Sequence, residues 1–208
     1  MKLPEKTVER LSEYRRTLLE CLTKGKTHIY SHELARLHNI TAVQVRRDLM
    51  LIGYSSLKKK GYDARDLVEV IGKLMDHKNG LNVAVIGMGN LGRAITTYFI
   101  GKRPKLNIVA AFDVDPNKIN RVISGVYCYH MKDIKDIILS SKISIAIITS
   151  PPETTATITE TLVIAGIKGI LNFTTTPINV PDSIFLEEFD MITSIEKVAY
   201  FVKDQVKL

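Results

Sequence analysis

Residues 83–92 read Val-Ala-Val-Ile-Gly-Met-Gly-Asn-Leu-Gly and run directly into Arg-Ala-Ile-Thr-Thr-Tyr-Phe-Ile. A β-branched apolar run, then glycines at 87, 89 and 92, then helical spacing predicts strand, tight turn and helix. Each glycine has its own reason. Gly87 permits the turn, Gly89 lets a pyrophosphate approach bare backbone, and Gly92 lets the helix pack close to the strand. The helix opens on unpartnered N–H groups and the positive end of its dipole, which suits phosphate. The whole turn, Gly87, Met88, Gly89, Asn90, Leu91 and Gly92, is therefore a candidate dinucleotide site.

The rest of the chain from Leu81 has the texture such a turn requires. Apolar runs at 81–87, 106–113, 143–150 and 166–173 alternate with helical stretches, the pattern of a parallel sheet covered on both faces by crossover helices. The second run ends on Asp113, twenty-one positions after Gly92. A carboxylate there accepts bonds from the adenosine ribose hydroxyls and repels a 2′-phosphate, so NAD(H) is expected over NADP(H). Asp115 competes for the role, but Pro116 follows it and it reads as a turn residue. Thr149, Ser150 and Pro151 close the third run, where ligands of open α/β sheets sit; a rigid loop reads equally well.

The first 80 residues differ in kind. They hold 16 lysines and arginines against 10 acids, an excess of six, whereas residues 81–208 hold 13 against 12, an excess of one. A basic part joined to a neutral one suggests that the basic part meets a polyanion. Residues 5–23 have the spacing of an amphipathic helix stopped by Gly25. Ser31 is placed to cap a second helix reaching about His38, Asn39-Ile40 turns, and Thr41 caps a third from Ala42 to about Met50. Val43, Leu49 and Ile52 are expected on its inner face, with Gln44, Arg46 and Arg47 outside. Lys58, Lys59 and Lys60 form a basic loop or hairpin, and Asp63 caps a fourth helix to residue 76. In a helix-turn-helix the second helix enters the major groove with its early residues at the base edges. Thr41, Ala42, Gln44, Arg46 and Arg47 are the candidates there, with Lys58–Lys60 on phosphates.

Several classes recede. No apolar run reaches the roughly 20 residues of a bilayer-spanning helix. The charged start does not read as a signal peptide, and Cys21 and Cys128 are isolated thiols without metal spacing. A cytoplasmic chain of three parts is expected: 1–80 binding DNA, 81–193 binding a dinucleotide, and an amphipathic tail helix, 194–208, in need of a partner surface. Four of the five histidines lie in the first part, which leaves His130 as the candidate histidine near a cofactor, more naturally a surface or capping residue. The chain thus reads as a regulator rather than an enzyme. The alternatives are an NAD-dependent oxidoreductase and a nucleotide sensor that has lost DNA binding.

The combination resembles the Rex family of redox-sensing transcriptional repressors. The resemblance is carried by Pro4–Tyr14, Ser31–Ala35, the block Ala42–Leu49, Gly61-Tyr62-Asp63, Gly87–Gly92, Ala110–Pro116, Ala165–Ile167 and Ile170–Phe173. It implies a homodimer whose N-terminal winged helices bind double-stranded operator DNA and whose Rossmann domains sense NADH against NAD⁺. It implies further that the C-terminal helix is exchanged between subunits, and that NADH moves the recognition helices out of operator spacing. By the same resemblance Tyr98 stands near the nicotinamide and Asp190 at the hinge of the exchanged helix. The chain departs from the family in the wing, where Ile52–Lys59 lacks the usual glycine and aromatic pattern, at Ser150-Pro151-Pro152, where the family has Val-Pro-Ala, and at Thr174-Thr175, where threonines replace apolar residues.

Overall fold

The computed structural model describes residues 3–55, 60–99 and 101–205. The chain divides into two compact units, Met1–His77 and Lys78–Leu208.

The first unit is helical. Its elements are α1 (Glu5–Thr23), β1 (His28–Ile29), α2 (Ser31–Leu37), α3 (Ala42–Leu51), β2 (Tyr62–Asp63) and α4 (Ala64–Met75). The two short strands pair antiparallel, Ile29 opposite Tyr62. Leu11, Tyr14 and Leu18 of α1 meet Leu34 of α2, Val45 and Leu49 of α3, and Leu67 and Ile71 of α4 in one buried core. The turns follow local chemistry. Asn39 takes the left-handed conformation (φ 52°) between α2 and α3, which asparagine tolerates better than most residues. Thr41 Oγ1 accepts from Gln44 N at 3.1 Å, and Asp63 Oδ1 accepts from the amides of Arg65 and Asp66.

Two expectations here are corrected. Ser31 is the first residue of α2 and not its cap: Tyr30 occupies the cap position, and Glu33 reaches back to the Tyr30 amide at 2.8 Å. Val43 is 65% exposed, while Val45, Asp48 and Leu49 form the buried stripe of α3. A charged residue inside that stripe shifts its apparent phase.

The second unit is built on a seven-stranded sheet. In chain order it contains β3 (Leu81–Ile86), α5 (Asn90–Phe99), β4 (Leu106–Asp113), β5 (Arg121–Ile123), β6 (Val126–His130), α6 (Ile134–Ser140), β7 (Ile143–Ile148), α7 (Thr155–Ile164), β8 (Gly169–Asn172), β9 (Phe185–Glu188) and α8 (Met191–Val202). The spatial order is β5-β6-β4-β3-β7-β8-β9, parallel throughout except for β5 on β6. Side chains alternate between two cores: Ala84, Ile86, Ala110 and Phe112 face α6 and α7, and Val83, Val85 and Ala111 face the opposite layer with Met88. The chain runs outward from β3 through β4 to β6 and then returns to the other side of β3 as β7. The crevice between β3 and β7 is thus a topological switch point, where open α/β sheets bind their ligands.

The last helix starts at Met191, three residues before the expected Ser194, because Asp190 caps it: Oδ1 accepts from the amides of Ile192 and Thr193. No residue of α8 is buried. No helix among the described residues is long and apolar enough to cross a membrane.

Candidate functional site

A cleft of about 930 Å³ lies at that switch point, a volume suited to a cofactor-sized ligand. Its floor is the glycine turn with Gly87, Gly89, Asn90 and Leu91. Asp113–Asp115 and Lys118 form one wall, and Thr149, Ser150 and Pro151 lead into α7 on another. Gly87 has φ +97°, and a Cβ there would come within 2.9 Å of Ser150 N. A Cβ on Gly92 would be driven into the Gly87 carbonyl oxygen, so Gly92 supplies the close helix–strand approach. A Cβ on Gly89 would meet nothing within 4 Å among the described residues. Gly89 thus faces open space in the cleft beside the first turn of α5, where backbone donors are free for phosphate.

Asp113 organises this floor. Its Oδ2 accepts from the Met88 amide at 2.8 Å and from Lys118 Nζ at 3.0 Å. Its Oδ1 accepts from the amides of Val114 at 2.8 Å and Asp115 at 3.0 Å. Burial pushes the carboxyl pKa up, but the Asp115 amide, the Lys118 ammonium and the Met88 amide outweigh it and hold the group below the usual carboxylate range. The expected ribose acceptor therefore already has four donors, which fills a carboxylate's capacity. Of these Lys118 alone is a flexible side chain, and its ammonium also lies 3.6 Å from Asp115 Oδ2. Asp115 makes the expected turn, its carbonyl accepting from Lys118 N and its Oδ1 from Asn117 N.

Three expected contact residues are placed elsewhere. Met88 is fully buried in the core beneath the turn, and its side chain does not line the cleft. Gly92 serves packing. Tyr98 is 65% exposed at the far end of α5, with Lys102 Nζ 3.2 Å from its ring centre, and does not line the cleft. Thr149 lines the cleft, but its hydroxyl turns inward to the Gly87 carbonyl at 2.7 Å, tying β7 to the glycine turn. Ser150 Oγ is buried and has no hydrogen-bond partner among the described residues. The glycine cradle, the free helix start and this orphan hydroxyl fit a dinucleotide.

Lys118, Met131, Lys132, Glu153, Thr157, Ile158 and Thr161 also line the cleft, although no motif marks them. Lys118 had the clearest signal, standing five residues after Asp113 on the same turn. His130 caps the short 3-10 turn after β6, its Nδ1 accepting from Lys132 N at 3.0 Å. Cys128 is core, its thiol pushed up to about 11 first by burial and then by Asp113. Cys21 packs partly buried against the core of the first unit. Among the described residues no cluster of histidine, cysteine and acids is placed to hold a metal.

In the first unit, Arg46 and Arg47 are exposed on α3. Arg46 Nη1 donates to Ser31 Oγ at 3.2 Å. Gln44 is half-buried, and its Nε2 donates to Asp48 Oδ1 at 2.9 Å. Thr41 is exposed and Ala42 half-buried at the helix start, and Lys60 is exposed. Lys58 and Lys59 lie outside the described residues. The residue that orients α3 is Asp48, which pattern reading passed over. It is fully buried and accepts from Arg10, Tyr14 and Gln44.

Residues 2–49 match a family described as "Putative DNA-binding protein N-terminus", and residues 78–176 match "CoA binding domain". The chain is 34% identical over 205 residues to a redox-sensing transcriptional repressor Rex of Lactobacillus acidophilus, covering 99% of this chain and 97% of that protein. It is 35% identical over 202 residues to its counterpart from Anoxybacillus flavithermus, covering 97% and 95%. Among solved structures it resembles RSP, a Rex-family repressor, at 30% identity. The complex of RSP with β-NAD⁺ and operator DNA gives a TM-score of 0.90 over 99% of this chain and 94% of that one. The RSP complex with β-NADH gives 0.85 over 99% and 96%.

Proposed function

The chain belongs to the Rex family of redox-sensing transcriptional repressors, and we propose that it is a homodimeric, cytoplasmic repressor that binds double-stranded operator DNA and is released by NADH. The observation that carries this reading is the pairing, in one chain, of a capped basic helix-turn-helix with a glycine-floored cleft at the switch point of a parallel sheet. Residues 1–80 bind DNA, 81–193 bind NAD(H), and the tail, 194–208 with the helix start at Met191, is exchanged between subunits. The exposed apolar side chains of α8 support that last assignment.

In the cleft, the amides around Gly89, Asn90 and Leu91 receive the pyrophosphate. A ribose hydroxyl reaches Asp113 by taking the place of Lys118, which then turns to Asp115. Ser150 and Pro151 border the nicotinamide end. On DNA, Arg46 and Arg47 address base edges, and Lys58, Lys59 and Lys60 address phosphates. That the relatives are named repressors supports a regulator over an oxidoreductase.

Release requires that NADH bind the DNA-incompetent state more tightly than the competent one, since only differential affinity moves an equilibrium. A coupling of about 1–3 kcal/mol is usual, and operator DNA must weaken NADH binding by the same factor. The test is fluorescence anisotropy on an inverted-repeat duplex selected from a randomised pool, titrated with NADH and then NAD⁺ at one salt concentration. NADH is expected to release the duplex and NAD⁺ to leave it bound. The Arg46→Ala/Arg47→Ala variant is expected to lose the duplex and keep NADH. A duplex indifferent to NADH would overturn the sensing role, and a double variant that still binds it would overturn the recognition helix.

A further inference from the structure

We infer that Val43 is a sequence-reading residue that receives the C5-methyl group of a thymine in the major groove. This rests on the operator-binding reading above and adds to it a determinant of base choice. Val43 is 65% exposed in the first turn of α3, where nothing in its own unit demands an apolar group. A β-branched residue there also costs helix propensity relative to alanine. A lone exposed valine would carry no meaning; its position does. At about 100° per residue, Arg46 lies about 60° to one side of Val43 around the helix and Arg47 about 40° to the other. The buried residues Val45, Asp48 and Leu49 hold the opposite face. Val43 is therefore at the centre of the face that the two guanidiniums flank, one turn closer to the helix start, which is the end that meets base edges in this motif.

The neighbours narrow the assignment. Gln44, the other candidate of the first turn, has its amide nitrogen tied to Asp48 at 2.9 Å. The Thr41 hydroxyl is engaged as the cap. Among the described residues, Thr41 and Gln44 thus leave the centre of the reading face to Val43, with the two arginines to either side. The apolar group the major groove presents is the thymine methyl, and small apolar side chains are its usual partners. The charge excess of the first 80 residues and the flanking arginines favour a nucleic-acid occupant over an apolar protein surface.

The experiment removes the methyl and nothing else. The full-length protein is titrated against the selected inverted-repeat duplex and against versions in which each thymine in turn is replaced by deoxyuridine in both half-sites. For the wild type, one thymine position is expected to show about a fifteen-fold loss, about four-fold per half-site. Val43→Ala is expected to bind the parent duplex more weakly and to be insensitive to deoxyuridine at that position alone. Val43→Thr, which keeps the shape, guards against a folding effect, and NADH binding by each variant reports an intact second unit. If Val43→Ala keeps the full wild-type sensitivity at every thymine, or if the wild type senses no methyl, the inference falls while the repressor reading stands. If the wild type enriches no duplex from the pool, both fall.

Discussion

Arg10 clasps Asp48 with two parallel bonds: Nε reaches Oδ2 and Nη2 reaches Oδ1, each at 2.7 Å. The carboxylate is fully out of solvent, whereas the Arg10 side chain keeps 21% exposure. The two partners are therefore unequal. Removing Arg10 strands a buried charge; removing Asp48 leaves a guanidinium that can still reach water. Breaking a buried pair costs about 3–5 kcal/mol, and Arg10→Met is expected near the top of that range, with Asp48→Asn below it. Urea denaturation read as a shift in midpoint at constant slope checks the order. Because Asp48 orients α3, both variants also weaken operator binding while leaving NADH affinity unchanged. Equal stability losses would argue that Asp48 is not the sensitive end.

Acid should undo the same contact. Burial alone would raise the Asp48 carboxyl, but bonds from Arg10, Tyr14 and Gln44 hold it below its ordinary value. Asp113 is lowered likewise. A group with a lowered folded pKa contributes stability that is complete above its unfolded value, about 3.9 for aspartate. That stability is lost as the pH falls from there through the folded value. The melting temperature should hold steady from neutral pH to about 5 and drop below about 4. Arg10→Met should flatten the part of this drop that belongs to the first unit. Calorimetry across pH decides it, and a stability that rises as the pH falls through this window would contradict both assignments.

The legible parts of this molecule were those where one physical cause dominates. Strands β3, β4 and β7 are buried on both faces over their carboxyl-terminal residues, and β8 is buried on one face and half-buried on the other, so each shows as an apolar run. Strands β5 and β9 keep most positions exposed, and β6 is five residues long, so none of the three stood out. The glycine turn was readable because its geometry restricts residue type. The α7 wall of the cleft was not, because Thr157, Ile158 and Thr161 reach the ligand space only through the packing of a helix distant in sequence. Apolar spacing alone puts Val43 on the inner face of α3, one face out of phase, because the buried stripe runs through Asp48, a charge whose partners Arg10 and Tyr14 lie on another helix.

Gly89 and Gly92 make separable predictions. Gly89→Ala adds a methyl where nothing lies within 4 Å, so stability should be near that of the wild type, while NADH affinity falls by an order of magnitude or more as the methyl blocks approach of the pyrophosphate. Gly92→Ala forces a methyl against the Gly87 carbonyl and brings it 2.9 Å from Thr149 Oγ1. Overpacking of that kind costs about 1–3 kcal/mol, and NADH binding should fail together with stability. Isothermal titration beside thermal melts separates the two. A Gly89→Ala protein that binds NADH normally would remove the pyrophosphate from the place assigned to it.

Helix α8 presents Ile195, Val198 and Phe201 at 69%, 62% and 66% exposure. Three such side chains on one helical stripe are worth about 1.5–3 kcal/mol each when buried, a strong reason for them to be covered. If a second copy covers them, Ile195→Glu/Phe201→Glu should turn the assembly from twice the chain mass of 23.4 kDa into single chains. Operator affinity should fall steeply with it, because two half-sites bound by one linked dimer gain effective concentration that separate chains lack. Light scattering after gel filtration measures the mass, and anisotropy measures the affinity. A double variant that remains a dimer would place the subunit interface elsewhere and leave the apolar face of α8 to a different partner.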